Sequence, residues 1–270
     1  MKIKKLISAL VLGSMLVGLS GCNITDFSAE NLLRPPKAVG DEAEIEQLIA
    51  KTADSGYTLK YPKNGKFRSA IIMTDLDGND SNEAVAFFRN SAETSSVHML
   101  VMYSKDNSWE IVSDNIFETT DIDSVDFADL TGNGKAEIIV NSTTYTPNVG
   151  KLSCYSYSEG KTNEVGSGQS CSSFVTGDFD NDGTSEIMSL VLYTTENEAL
   201  ASMLDYNEDS KSLYAKAMAN MDPNVVKYKN IAVTKLDNDI TGIVVDGTSA
   251  NEVTNLSLIH ISEPTRPLYI

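Results

Sequence analysis

Apolar and polar positions change rhythm once along this chain. In "DEAEIEQLIAKTADSG", residues 41–56, Ile45, Leu48 and Ile49 fall on one helical face. Acids fill the first turn and Gly56 stands beyond the end, so the spacing predicts a short helix over Asp41 to Ala53. From Lys60 onward the period becomes that of strands. Short apolar runs such as "VHMLVMYS", "SWEIVS", "KLSCYSYS" and "ALASMLDYN" alternate with clusters of Gly, Asn, Asp and Ser. The expectation is an all-β region over 60–255 preceded by one helix.

Within that region one pattern repeats. "AIIMTDLDGNDSNEAVAFF", "VDFADLTGNGKAEIIV", "FVTGDFDNDGTSEIMSLVLY" and "IAVTKLDNDITGIVV" each run from an apolar strand through a polar loop into a second apolar strand. The copies recur roughly every fifty residues, with further strand-like runs between them, which makes about four strands per unit. That is the size of a propeller blade, and no Pro- or Gly-rich linker separates the units as independent small domains would require. The predicted fold is therefore a β-propeller, incomplete, of about four four-stranded blades.

The two ends have a different character. "MKIKKLISALVLGSMLVGLSGC" has a basic start and an apolar run too short for the ~20 residues of a membrane span. Leu19-Ser20-Gly21-Cys22 resembles the lipobox of bacterial lipoproteins. That resemblance implies a signal peptide over 1–21, a diacylglyceryl chain on Cys22, and a membrane partner reached through the anchor. The implied location is the cell envelope, on the outer side of the bacterial cytoplasmic membrane. An ordinary signal peptide with an incidental cysteine is the plainer reading. Residues 22–40 follow as a tether, stiffened by Pro35 and Pro36. At the far end "LSLIHISEPTR", from Leu256, matches one reading frame of a common transposase sequencing adapter. Residues 256–270 are read as a non-native tail, and the native chain is expected to continue past Asn255.

Charge narrows the partners. The chain carries −17, and removing Lys2, Lys4 and Lys5 with the leader takes the mature part to about −20. Such a protein repels nucleic acid and attracts divalent cations. No nucleic-acid partner is expected.

The acidic loops carry the candidate chemistry. Aligned on their first residue, Asp75, Asp129 and Asp178 lead. Asp77, Thr131 and Asp180 hold the third position, Asn79, Asn133 and Asp182 the fifth, and Glu83, Glu137 and Glu186 the ninth. Alternate residues of a tight loop can turn their oxygens inward, and calcium wants six to eight of them. Gly134 and Gly183 at the sixth position permit the sharp turn, and Asp80 of the first loop tolerates it. An EF-hand is excluded, because its twelfth-position acid is replaced by Ala86, Val140 and Ser189. The pattern instead resembles the FG-GAP/VCBS repeats of integrin-α-like propellers. The resemblance implies structural calcium held by those twelve residues. The fourth unit departs, with Lys235 first and Ile243 ninth. Counting carboxylates ranks the loops third, first, second. The competing reading is solvated turns whose Asp and Asn cap their own backbone.

No catalytic signature is present: no nucleophile elbow, no zinc-binding histidine pair, no phosphate-cradling glycine loop. His98 reads as structural, and Trp109, Tyr145, Tyr155 and Tyr157 as core or as a sugar-binding face. Cys154 and Cys171 are either a disulfide or two buried thiols. Two functions follow. One is a non-enzymatic, lipid-anchored binding module that presents a calcium-stabilised propeller to extracellular protein or carbohydrate. The other is a secreted carbohydrate-active hydrolase or lyase that uses carboxylates at the propeller opening.

Overall fold

The computed structural model describes residues 40–53, 56–106, 108–158, 160–193, 198–221, 224–237, 240–249 and 254–260. The expected signal peptide, Cys22 and the expected tether up to residue 39 lie outside the described residues, as do residues 261–270 of the expected non-native tail. Helix α1 spans Asp41–Ala53, as its spacing predicts. It buries Ile45, Ile49 and Ala53 against Ala84, Ala86 and Phe88 of the first sheet. Burying such side chains contributes ~1.5–3 kcal/mol each for the larger ones. Among the described residues no helix is long and apolar enough to cross a membrane.

Among the described residues the strands form four separate antiparallel sheets, each built from consecutive segments. The first holds β1 (Tyr57–Leu59), β2 (Ile71–Thr74), β3 (Glu83–Asn90), β4 (Val97–Lys105) and β5 (Ser108–Phe117). The second is β6 (Ile122–Ala128), β7 (Glu137–Thr143), β8 (Gly150–Ser158) and β9 (Lys161–Cys171). The third is β10 (Ser173–Gly177), β11 (Glu186–Tyr193), β12 (Glu198–Asn207) and β13 (Ser212–Asn220). The fourth is β14 (Val225–Asp237), β15 (Ile240–Ser249) and β16 (Thr254–His260).

Period-two alternation explains how they pack. On β3, Val85 and Phe87 face Ile138 and Val140 of the second sheet, while Ala84, Ala86 and Phe88 face α1. On β7, Ile138 and Val140 serve the first interface and Ile139 the next, with Ile187 and Leu204 of the third sheet. Met188 and Leu190 of β11 then meet Val225, Ile243 and Val245 of the fourth. Strands buried on both faces read as unbroken apolar runs, which is why β3, β7 and β11 are the strongest signals in the sequence.

The all-β character holds, but the propeller does not. Each sheet is an open path, none is closed or curled, and no ladder among the described residues joins the first sheet to the fourth. A ring has to bring its first and last blades together, and repeat length alone cannot specify that closure. The described residues do form four sheets, but not uniformly four-stranded ones: they have five, four, four and three strands.

Two smaller expectations also meet the structure. Leu256 to His260 of the predicted non-native tail lie in β16, paired with β15 from Asp246↔Leu256 to Gly242↔His260. Backbone pairing onto an open edge asks little of side-chain identity, so a strand here is compatible with any β-competent sequence. Cys154 and Cys171 are free and buried. The ladder sets Cys171 opposite Gly150, four residues from Cys154 along β8 and so ~13 Å away. Disulfide geometry needs Cα atoms within ~7 Å. Burial pushes the Cys171 thiol up to about 12, which keeps it an inert thiol.

Candidate metal centre and polar cleft

Each acidic loop closes the hairpin between the first two strands of its repeat, and the three share one construction. The leading aspartate accepts backbone N–H groups from across the loop: Gly78 and Asp80 to Asp75 at 2.7 and 2.9 Å, Gly134 to Asp129 at 2.8 Å, Gly183 to Asp178 at 3.2 Å. The glutamate at the start of the following strand reaches back. Leu76, Leu130 and Phe179 each donate an N–H to Oε2 of Glu83, Glu137 and Glu186, all at 2.8 Å. The sixth-position residues Asp80, Gly134 and Gly183 all have positive φ, at 65, 78 and 94°. The turn therefore needs a residue that tolerates the left-handed region.

The loops differ in what remains unsatisfied. In the third, Asp178, Asp180, Asp182 and Glu186 place one oxygen each within 4.8 Å of one another. Glu186 is fully buried and its Oε1 has no partner. In the first, Asp75, Asp77 and Glu83 converge the same way, and Asp77 Oδ1 is the buried oxygen without a partner. In the second no such cluster forms among the described residues. There Thr131 donates its hydroxyl to Glu137 Oε1 at 3.2 Å, so the loop is closed without a cation. Asn79 and Asn133 spend their side-chain oxygens on the N–H of Ser81 and Lys135.

Electrostatics follow this geometry. Burial, with Asp180, Asp182 and Asp205 nearby, pushes Glu186 up to about 7. Glu83 and Glu137 are raised by burial too. Asp75 resists burial and sits below its ordinary value, because the N–H groups of Asp80, Gly78, Asn79 and Asp77 point at it. A buried acid raised by neighbouring carboxylates is a site that a divalent cation would relieve. Two clusters of acidic side chains, in the first and third loops, could thus coordinate a hard cation.

Sequence reasoning missed a lysine. Lys216 on β13 contacts Asp180 Oδ2 and Asp205 Oδ2, the latter at 2.9 Å. Met203 pairs with Ala217 and Leu204 with Ala215, so Lys216 is the extra residue of a β bulge. Bulges re-aim side chains, and this one turns an ammonium toward the third loop. The loops are also linked to each other. Ala136 donates its N–H to Leu76 O at 3.0 Å, and Ser185 to Asp129 O at 2.8 Å. The three run as a row across successive sheets.

A second feature lies apart from that row. A cleft of about 960 Å³ is bounded by the turn before β2, by β6 and β7, by the start of β10 and by β14. Its wall is polar, with Asn64, Asp123, Asn141, Thr144 and Ser173 among the lining residues. Asp123 is again a bulge residue, since Ile122 pairs with Ser142 and Ser124 with Asn141. It accepts hydrogen bonds from Asn64 at 2.8 Å, Ser124 at 3.0 Å and Asn141 at 3.3 Å. Of the aromatic residues proposed for a sugar face, Trp109, Tyr155 and Tyr157 are core, and Tyr145 is 94% exposed.

No protein-family model matches the chain, and no curated protein does. Solved structures matched include "NanB plus Optactamide" and a point mutant of NanB sialidase from Streptococcus pneumoniae. Each is 14% identical with a TM-score of 0.41, over 74% of this chain and 32% of that chain. The present chain spans about a third of the length of those proteins. Values this low fix neither fold nor activity. The resemblance to FG-GAP/VCBS propellers is corrected: no family model supports it and the sheets stay open. Loops of Asp, Asn and Gly serve any hairpin that needs oxygen donors at a tight turn, so the motif recurs outside one fold. The lipid-anchored binding module on a propeller scaffold falls with that fold.

Proposed function

We propose that this chain is a carbohydrate-active β protein whose sheets are held in register by calcium at the first and third acidic loops. The observation that carries the metal is the buried oxygen without a partner in each of those loops, Asp77 Oδ1 and Glu186 Oε1. An orphaned carboxylate oxygen costs several kcal/mol of lost solvation, and a hard cation repays it. The cation is structural here, because the cleft lies away from both loops. Calcium titration by calorimetry should find two sites, and Asp77→Asn should remove one of them. Stoichiometry unchanged by that variant would overturn the assignment.

The carbohydrate half rests on the cleft. Hydroxyls and amides on its wall suit a polyol, and Asp123 and Asp126 supply the carboxylates for hydrolase- or lyase-type chemistry. Both are positioned by donors: Asp126 by Lys66 at 2.7 Å and Thr176 at 2.8 Å, Asp123 by the three already named. Turnover of oligosaccharides, read as reducing ends or unsaturated products, should vanish in Asp123→Asn. Activity that survives would place the chemistry elsewhere.

Attachment to the membrane through Cys22 belongs to the same proposal, on the strength of Leu19-Ser20-Gly21-Cys22. Two or more acyl chains give stable anchoring. A palmitate analogue should label the wild-type protein and leave Cys22→Ala unlabelled.

A further inference from the structure

The cleft is positively charged inside a strongly negative protein. The chain carries −17, yet Lys63, Lys66, Arg68 and Lys227 all line this one cavity, against the two carboxylates Asp123 and Asp126. Lys63 pairs with Asp121 at 3.1 Å and Lys66 with Asp126 at 2.7 Å. Arg68 and Lys227 have no carboxylate partner among the described residues. Both are exposed, so neither needs one to be tolerated. A cavity wall that keeps cations available while the rest of the surface is acidic selects for an anion.

The floor asks for something else. Asn141 is 1% exposed and donates Nδ2 to Asp123 at 3.3 Å, which leaves Oδ1 buried without a partner. Glycine at residue 150 lets the β8 backbone pack closely against that side chain. A Cβ on Gly150 would stand 2.3 Å from Asn141 Oδ1. A buried acceptor next to a lined cavity is satisfied by a ligand that donates, and a sugar hydroxyl does so. The volume of about 960 Å³ lies within the ~300–1,000 Å³ of small-ligand sites.

We infer that the cleft binds an acidic saccharide, with its anionic group against Arg68 and Lys227 and a hydroxyl donating to Asn141 Oδ1. This rests on the carbohydrate-directed reading above and names the class of sugar. A carboxylate and a sulfate share the required chemistry, since a guanidinium pairs with either through two N–H groups.

Calorimetry on the full chain, at fixed saturating calcium, tests it with three probes of equal length. These are a galacturonate trimer, a sulfated glucose trimer and a neutral maltotriose. At least one acidic trimer should bind about tenfold or more tighter than the neutral one, and that preference should shrink as salt is added. Which acidic trimer binds identifies the anionic group. Arg68→Gln with Lys227→Gln, both at exposed positions, should abolish the preference and leave the melting temperature unchanged. Equal affinity for acidic and neutral trimers would overturn the inference and leave the carbohydrate reading standing. Binding of none of the three would overturn both. Acidic binding that survives the double variant, or that disappears with chelator, would place the ligand outside the cleft or on the calcium of the loops.

Discussion

Lys216 bears on how the two candidate metal centres rank. By carboxylate count the third loop should fill first, since it offers four against three at the same positions of the first loop. Lys216 already supplies a positive charge to Asp180, and Asp180 Oδ1 accepts the N–H of Asp182 at 3.2 Å. A calcium ion entering that loop has to displace or repel the ammonium, and among the described residues no ammonium pairs with Asp77. The first loop is therefore expected to bind ahead of the third. Lys216→Gln should tighten the third site by about tenfold, or ~1.4 kcal/mol, measured by calcium titration in an Asp77→Asn background. The same substitution should lower the melting temperature in chelator, because Asp180, Asp205 and Glu186 then repel one another uncompensated. Affinity unmoved by Lys216→Gln would mean that the ammonium sits outside the coordination sphere.

At the scale of elements, the connection from β3 to β4 is pinned by a histidine between two acids. His98 on β4 is 6% exposed and stacks on Phe88 of β3 with ring centroids 4.8 Å apart. Its Nδ1 lies 2.9 Å from Asp114 of β5 and its Nε2 3.0 Å from Glu93 of the connection. Arg89 holds the same connection by donating to Thr94 O at 3.2 Å. Burial pushes the His98 pKa down, but Asp114 and Glu93 outweigh it and the net shift is upward from 6.5. A raised histidine stabilises fully below its unfolded value, and that stability is lost as pH rises through the folded value. The melting temperature should fall between pH 6 and pH 8 by about 2–4 °C, equivalent to ~1 kcal/mol. His98→Gln should reduce the dependence, the remainder coming from Glu186, whose raised value of about 7 falls in the same range. A slope unchanged by His98→Gln would remove the histidine from the account. The sequence marked His98 as structural, but its partners lie on the neighbouring strand β5 and in the connection before β4, which local pattern does not show. The same limit separates what was legible from what was not. Helix α1, the apolar runs of β3, β7 and β11, and the acidic positions of the loops all follow from residues within one turn or hairpin. The bulges that aim Asp123 and Lys216 depend on pairing register, and ring closure depends on the whole chain. None of these leaves a mark at short range.

For the molecule as a whole, one apolar cluster lies between α1 and the first sheet and three lie between successive sheets, with the acidic loops alongside the latter. The β1–β5 and β6–β9 sheets share one cluster, β6–β9 and β10–β13 the next, β10–β13 and β14–β16 the third. The bonds Ala136 N–H to Leu76 O and Ser185 N–H to Asp129 O tie the second acidic loop to the first and the third to the second. A cation inside a loop fixes the carbonyls and N–H groups that make these ties, so its binding energy is expressed between sheets as well as within a hairpin. With dissociation constants of ~10⁻⁴ to 10⁻³ M, as in extracellular calcium modules, each filled site adds roughly 0.4–1.4 kcal/mol at millimolar calcium. Two sites then add ~1–3 kcal/mol, a sizeable share of the ~5–15 kcal/mol that holds a typical domain together. The melting temperature should rise by about 2–10 °C from chelator to millimolar calcium, in one cooperative transition. Asp77→Ala and Asp180→Ala should each remove part of that rise. Asp129→Asn, in the loop that Thr131 already closes, should lower the baseline and leave the calcium increment intact. If the melt ignores calcium, the three loops are hydrogen-bonded turns and the sheets are held by their apolar cores alone.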